Sequence, residues 1–200
     1  MTMPASPPRR IGLTGGIATG KTTVSRYLAE VYQFPLLDAD LYAREAVQPG
    51  SPILERIFAR WGDRLRLENG CLNRKALGSI VFEDQQERSW LESQIHPFVR
   101  SRLQEDLIEL ADKTLVLAIP LLFEAKMTDL ATDIWVVTCS TAQQIQRLQG
   151  RDGLTEVEAL ARINSQWPLA EKMAASTVIL DNSGSLEWLF RQIDEALLGV

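Results

Sequence analysis

The 200-residue chain is poor in the residues that build metal centres and covalent scaffolds. It has one histidine, His96, and two cysteines, Cys71 and Cys139, far apart. A lone histidine cannot assemble a zinc site, and two distant cysteines make no disulfide framework, which points to a reducing compartment. No run of about 18 apolar residues occurs, so no membrane span is expected. Positive charge is not in excess: 21 Lys and Arg stand against 26 Asp and Glu, a net charge of -5. That argues against nucleic acid as a partner, although cations gathered in one cleft could still hold a small polyanion. Met1–Pro8 holds Pro and Ser but no apolar segment, so it reads as a tail and not a secretion signal. The expectation is a cytoplasmic protein with no membrane partner. Internal repeats and low-complexity segments are also lacking. Hydrophobic residues make up 46% of the chain, enough for a proper core, and the length suits one principal domain with an inserted lobe.

Against these absences stands Gly15-Gly16-Ile17-Ala18-Thr19-Gly20-Lys21-Thr22. It fills every fixed position of G-x-x-x-x-G-K-[ST], the phosphate-loop pattern. Glycine lets the backbone turn its N–H groups inward onto phosphate oxygens. Lys21 brings a point charge for the β- and γ-phosphates, and the Thr22 hydroxyl is a candidate Mg²⁺ ligand. The flanks agree. Arg10–Thr14 reads as a short buried strand, and Val24, Tyr27, Leu28, Val31 and Tyr32 recur at helical spacing up to Pro35. A helix opening at this point aims its positive end at the same phosphates.

Next, 34–40 reads as a second strand ending in Asp38 and Asp40, both on one face of an extended segment, with one of the pair capping the following helix. The block 41–112 has no convincing strand and reads as an inserted helical lobe. Its clearest helix is 53–61, with Ile53, Leu54, Ile57, Phe58 and Trp61 on one stripe. Asn73 is the expected N-cap of a helix over 72–82. A helix over 85–94 precedes His96-Pro97, and another runs on to about Leu110. Three further strands follow at 114–120, 134–139 and 176–180. A closing helix spans 186–198. Strands alternating with helices predict a parallel sheet of five strands with right-handed crossovers.

Arg147 and Arg151 lie four apart on a helix, so they share a face and could clamp phosphates as a polar lid over 148–170 closes. A solvated helix face is the competing reading. His96 reads first as a helix-start or packing residue. Glu124 either positions substrate or a metal-bound water, or is a surface acid. Pro120 stands where an acid often ends the third strand, so a carboxylate near Mg²⁺ would come from Asp38 or Asp40.

Together, residues 13–24, Asp38-Ala39-Asp40 with Ala43, His96-Pro97 and residues 120–124 resemble the dephospho-CoA kinase family. Arg147, Arg151-Asp152, residues 162–166 and Asp181-Asn182-Ser183-Gly184 extend the likeness over most of the chain in the family's order. One departure is Ala18-Thr19, where the family usually has Gly-Ser. The resemblance implies an α/β five-stranded parallel P-loop kinase core at 9–40 and 113–200. It also implies a helical CoA-binding lobe at 41–112 and a helical lid. The implied reaction moves the γ-phosphoryl of ATP to the 3′-hydroxyl of dephospho-CoA, with Mg²⁺ required. Asp40 is the implied catalytic acid, acting with Lys21, Arg147 and Arg151. ATP would be held by residues 15–22, Thr23, Arg147 and Asn182. Substrate contacts would fall on Asp38, Asp40, His96, Leu122, Glu124 and Gln166. A kinase of the same fold acting on a nucleoside monophosphate or a polyol acid is the alternative. A GTP switch would need a guanine-reading N-K-x-D, which is absent. Oligomeric state is not legible in the pattern, and a monomer is favoured.

Overall fold

The computed structural model describes residues 8–199, so all but the last residue of the Met1–Pro8 tail lies outside the described residues. In chain order the elements are β1 (Arg10–Gly15), α1 (Lys21–Val31), β2 (Leu36–Asp38), α2 (Ala39–Glu45), α3 (Pro52–Trp61), α4 (Arg74–Glu83) and α5 (Gln85–Glu109). They continue with β3 (Leu115–Ala118), β4 (Asp133–Thr138), α6 (Thr141–Asp152), α7 (Glu156–Asn164), α8 (Leu169–Ala174), β5 (Val178–Asp181) and α9 (Leu186–Leu198). The chain divides into two compact units, one ending at Asp38 and resuming at Glu109, the other Ala39–Ile108.

The first unit carries the sheet, in the order β2-β3-β1-β4-β5 with every pairing parallel. A parallel sheet is covered on both faces, so its strands read as continuous apolar runs. Ile11, Leu13, Val116, Trp135 and Val137 are fully buried, and Val24 and Leu28 of α1 join Leu189 and Ile193 of α9 in the same cluster. Both hydroxyls of Tyr27 and Tyr32 donate to Asp194, at 2.9 and 2.7 Å, and the Tyr27 ring stacks on Phe190. The hydrogen bond to Asp194, with burial, pushes the Tyr32 hydroxyl up to about 12. These contacts tie the far end of α1 to α9.

β2 is shorter than the pattern predicts. It pairs with β3 only through Leu36↔Val116, Leu37↔Leu117 and Asp38↔Ala118, and β3 ends there. With nothing further to pair, the backbone turns helical at Ala39, so Asp40 sits in the first turn of α2. Asp38 and Asp40 are therefore not same-face neighbours on one strand.

The second unit is built on α3, whose predicted stripe is buried in full. Asn73 caps α4 as expected, its side chain accepting from Ala76 N at 3.1 Å. The break expected at His96-Pro97 does not occur: α5 runs through Pro97. Proline inside a helix costs about 3 kcal/mol. Here Trp90, Leu91 and Ile95 before it and Phe98 after it all pack on the lobe's core, so burial of one continuous face outweighs the lost backbone bond. Arg60 lies over the rings of Trp61 and Trp90 and forms a two-point pair with Glu87. Tyr42 of α2 donates to Asp106 of α5.

Candidate active site

The loop between β1 and α1 leaves the carboxyl end of the sheet's central strand, where open α/β folds place ligands. Its shape depends on glycine at two points. Gly15 has φ +149°, and a Cβ there would meet Val137 O at 2.3 Å. Gly20 has φ +106°, and a Cβ would meet Asn182 Nδ2 at 2.1 Å. Ala18, where the family usually has glycine, takes φ +59°. It is thus a non-glycine residue in the left-handed region, a strain of roughly 1–2 kcal/mol. Thr19 stays outside that region, is fully buried and bonds back to Gly16 O at 2.9 Å.

The start of α1 differs from that of five other helices in the chain. Ser51, Asn73, Ser140, Thr155 and Ser185 each cap their helix with a side-chain oxygen. α1 begins at Gly20 with no side-chain cap and no acid in its first turn. With no side-chain cap over it, this first turn carries the positive end of the helix dipole at the loop. Lys21 Nζ reaches Gly15 O and Gly16 O at 3.3 and 3.1 Å, which folds the ammonium over the loop. Thr22, one step further, is exposed.

Four side chains from distant parts of the chain brace the loop from outside. Gln144 Nε2 donates to Ile17 O at 2.6 Å, and Gln166 Oε1 accepts from Ile17 N at 2.8 Å. Asn182 Nδ2 donates to Thr19 O at 2.7 Å. Arg147 donates to Ala18 O, Thr19 O and Asn182 O, between 2.9 and 3.2 Å. Arg147 therefore does not share a clamp with Arg151, whose guanidinium grips Asp152 through two bonds of 2.9 and 2.8 Å. That bond pattern holds the Asp152 carboxyl below its usual range. Asn182 is buried, and its side-chain amide donates to Thr19 O. Leu122 is also fully buried, a methyl group lying 3.3 Å from a Cβ position at Gly12. Leu122 is core and is not placed to touch a substrate. Gln144 escaped the sequence reading as a site residue, because a glutamine on an amphipathic helix carries no local signal of a partner so far away.

The helical unit holds a separate cavity of about 340 Å³. Val47, Leu72, Leu77, Val81, Leu91 and Ile95 give it an apolar floor, while Asp40, Arg44 and Arg74 supply charge. Arg74 also donates to Arg44 O at 3.3 Å. Arg44 and Arg74 were missed in the sequence because surface arginines are common and only the fold brings these two to one wall. His96 follows the pocket residue Ile95, is partly buried and has its pKa lowered by that burial. Glu124 forms an ion pair of 2.7 Å with Lys172, a fully buried lysine that no sequence pattern flagged. Among the described residues no cluster of three or more acids, histidines or cysteines is arranged for a metal ion.

Comparison with known proteins shows the family. The family model for CoaE, dephospho-CoA kinase, matches residues 9–187. A dephospho-CoA kinase of Synechocystis is 57% identical over 197 residues, 97% of this chain and 98% of that protein. The structure of TT1252 from Thermus thermophilus superposes with a TM-score of 0.81 at 35% identity, covering 98% of this chain and 99% of that one. A dephospho-CoA kinase from Campylobacter jejuni gives a TM-score of 0.67 at 27% identity, over 95% and 98% of the two chains.

Proposed function

The chain belongs to the dephospho-CoA kinase family, and on that premise we propose how its own residues carry the reaction. It is an ATP-dependent kinase that phosphorylates dephospho-CoA, the final step of coenzyme A synthesis. The acceptor atom is the 3′-hydroxyl of the ribose. The observation that carries the nucleotide half is the uncapped start of α1 at Gly20, next to Lys21. Amides of the loop and Lys21 bind the β- and γ-phosphates and stabilise the charge that builds on them during transfer. Arg147, Gln144 and Asn182 act through the loop, holding its carbonyls at Ile17, Ala18 and Thr19. Arg151 reaches phosphate only when Asp152 releases it, which makes it a clamp that works on closure.

Of this chain's residues, Thr22 would offer its hydroxyl to Mg²⁺, with the remaining positions left to phosphate and water. The exposed hydroxyl fits that role, since Mg²⁺ keeps several waters and rarely uses an all-protein cage. The ion would neutralise phosphate charge.

Asp40 is the base that orients the 3′-hydroxyl and takes its proton. The lobe cavity beside Asp40 is the seat for the acceptor: its apolar floor suits a base or an aliphatic arm, and Arg44 and Arg74 suit the 5′-diphosphate. Asp40 is exposed in the first turn of α2, a position that a ligand can reach. A cytoplasmic location rests on the free thiols of Cys71 and Cys139. No helix among the described residues is long and apolar enough to cross a membrane.

The test is an ADP-release assay with ATP and a panel of acceptors. Dephospho-CoA should be turned over far faster than nucleoside monophosphates or a polyol acid. A preference for either of those would overturn the assignment of the acceptor.

A further inference from the structure

A buried ion pair sits beside the phosphate loop, and its geometry is wasteful unless it serves a ligand. Lys172, on α8, has no exposed surface, and its Nζ lies 2.7 Å from Glu124 Oε1. That same oxygen accepts from Trp167 N at 3.0 Å, and the Trp167 ring stacks on Phe123. The residue before it, Gln166, receives the Ile17 N–H of the loop. One peptide step therefore links the carboxylate to the loop. The second oxygen, Glu124 Oε2, is buried as an atom and accepts no hydrogen bond among the described residues. Beyond the ion pair, the Lys172 ammonium also has no hydrogen-bond partner there.

A pair kept only for stability would be a poor solution. Two apolar side chains of similar volume usually serve as well as a buried ion pair or better, and buried acceptors are rarely left unmet. Here one carboxylate oxygen is fully engaged and the other is desolvated and accepts no hydrogen bond among the described residues. The engaged oxygen fixes the direction of the other.

We propose that Lys172 is a positioning residue for phosphoryl transfer: it holds Glu124 so that Oε2 receives an O–H donor that arrives with the substrates. The donor is a ribose hydroxyl or a water on the nucleotide's cation. The inference rests on the kinase reading given above. Lys172 touches neither substrate and acts through Glu124.

Three variants test it, each measured for thermal midpoint, circular dichroism and the kinetics of ADP release. Lys172→Met leaves the carboxylate buried and unpaired, so both midpoint and turnover should fall. The double variant Lys172→Met/Glu124→Gln removes both charges and should recover most of the midpoint. Its kcat should stay down by about tenfold or more, the loss of one buried hydrogen bond to a charged group. Recovery of both midpoint and kcat would reduce the pair to a structural contact and overturn the proposal. Glu124→Asp keeps the charge and withdraws Oε2 by one methylene, so it decides the question should the double variant misfold. A kcat within twofold of the unmodified protein would again overturn it. A rise in the Mg²⁺ concentration for half-maximal rate marks cation-bound water as the donor, whereas a rise in KM for dephospho-CoA marks its hydroxyl. Inactivity of the unmodified protein toward dephospho-CoA would instead sink the kinase reading itself.

Discussion

On the reading proposed above, the two units would meet their ligands with different chemistry. In the sheet unit the working groups are mainly backbone: loop amides and an uncapped helix start, held in place by Gln144, Arg147, Gln166 and Asn182. In the helical unit they are side chains: Asp40, Arg44 and Arg74 over an apolar floor. A backbone site demands one loop shape and tolerates few residues at fixed places, which is why it leaves a readable motif. A side-chain pocket can be assembled from many residue combinations, so it leaves almost none. The difference also separates their sensitivities. Damage to the loop should abolish chemistry, and damage to the pocket should mainly shift acceptor affinity.

The sharpest test of that contrast is Lys21→Ala. Turnover should drop to the background of the assay while circular dichroism stays that of the folded protein, because the lost charge matters most in the transition state. Substantial residual activity in a folded variant would mean the backbone site does not depend on this cation.

Asp40→Asn comes next. It keeps the shape of the side chain and removes the charge of the proposed base, so kcat should fall by roughly 10²–10⁴-fold with ATP affinity nearly unchanged. Full activity here, paired with a dead Asp38→Asn, would move the catalytic role from Asp40 to Asp38.

Arg74→Ala should raise KM for dephospho-CoA by about tenfold, the loss of one charge-assisted contact, with kcat and KM for ATP close to unmodified values. An equal rise in KM for ATP would erase the division between the two units.

A smaller effect concerns acid. Burial holds His96 below its ordinary pKa of about 6.5. As pH falls, the unfolded chain therefore takes up this proton before the folded one does. Stability is fully present above the unfolded value and declines as pH drops from about 7 toward 5. His96→Gln should flatten that decline in a series of melting curves. An unchanged slope would assign the acid sensitivity to other groups.

Ala18→Gly should do least. Removing the Cβ relieves left-handed strain but adds flexibility to the unfolded chain, and the two terms are of similar size, roughly 1 kcal/mol. The melting midpoint should move by no more than about 2–4 °C, with kcat within twofold. Loss of nucleotide binding would show that the alanine shapes the loop and does not merely fit it.

Local pattern predicted much of this architecture. The five strands, the stripe on α3 and the Asn73 cap all follow from spacing within a few residues, and the structure has them. The misses share a cause. Pro97 reads as a break because local cost is visible in the chain and the compensating burial of Phe98 and its neighbours is not. Asp40 reads as strand because nothing nearby says that β3 stops at Ala118. Arg147 and Arg151 read as twins by their spacing, yet one finds the loop's carbonyls and the other Asp152. Lys172 carries no mark at all: a lysine is read as surface until the fold buries it.

The braces on the phosphate loop also set a timetable. Ile17, Ala18 and Thr19 leave the ribosome well before the side chains that brace them: Gln144 and Arg147 follow Ile17 and Ala18 by 127 and 129 positions. Gln166 follows Ile17 by 149, and Asn182 follows Thr19 by 163. A nascent chain therefore carries the loop's letters long before it can carry the loop's shape. Nucleotide affinity should be absent from ribosome-bound fragments ending before Asn182 and should arrive late, as the last strand and helix emerge. Binding of ATP then reports that synthesis of this unit is complete, and a prematurely terminated product would not sequester nucleotide.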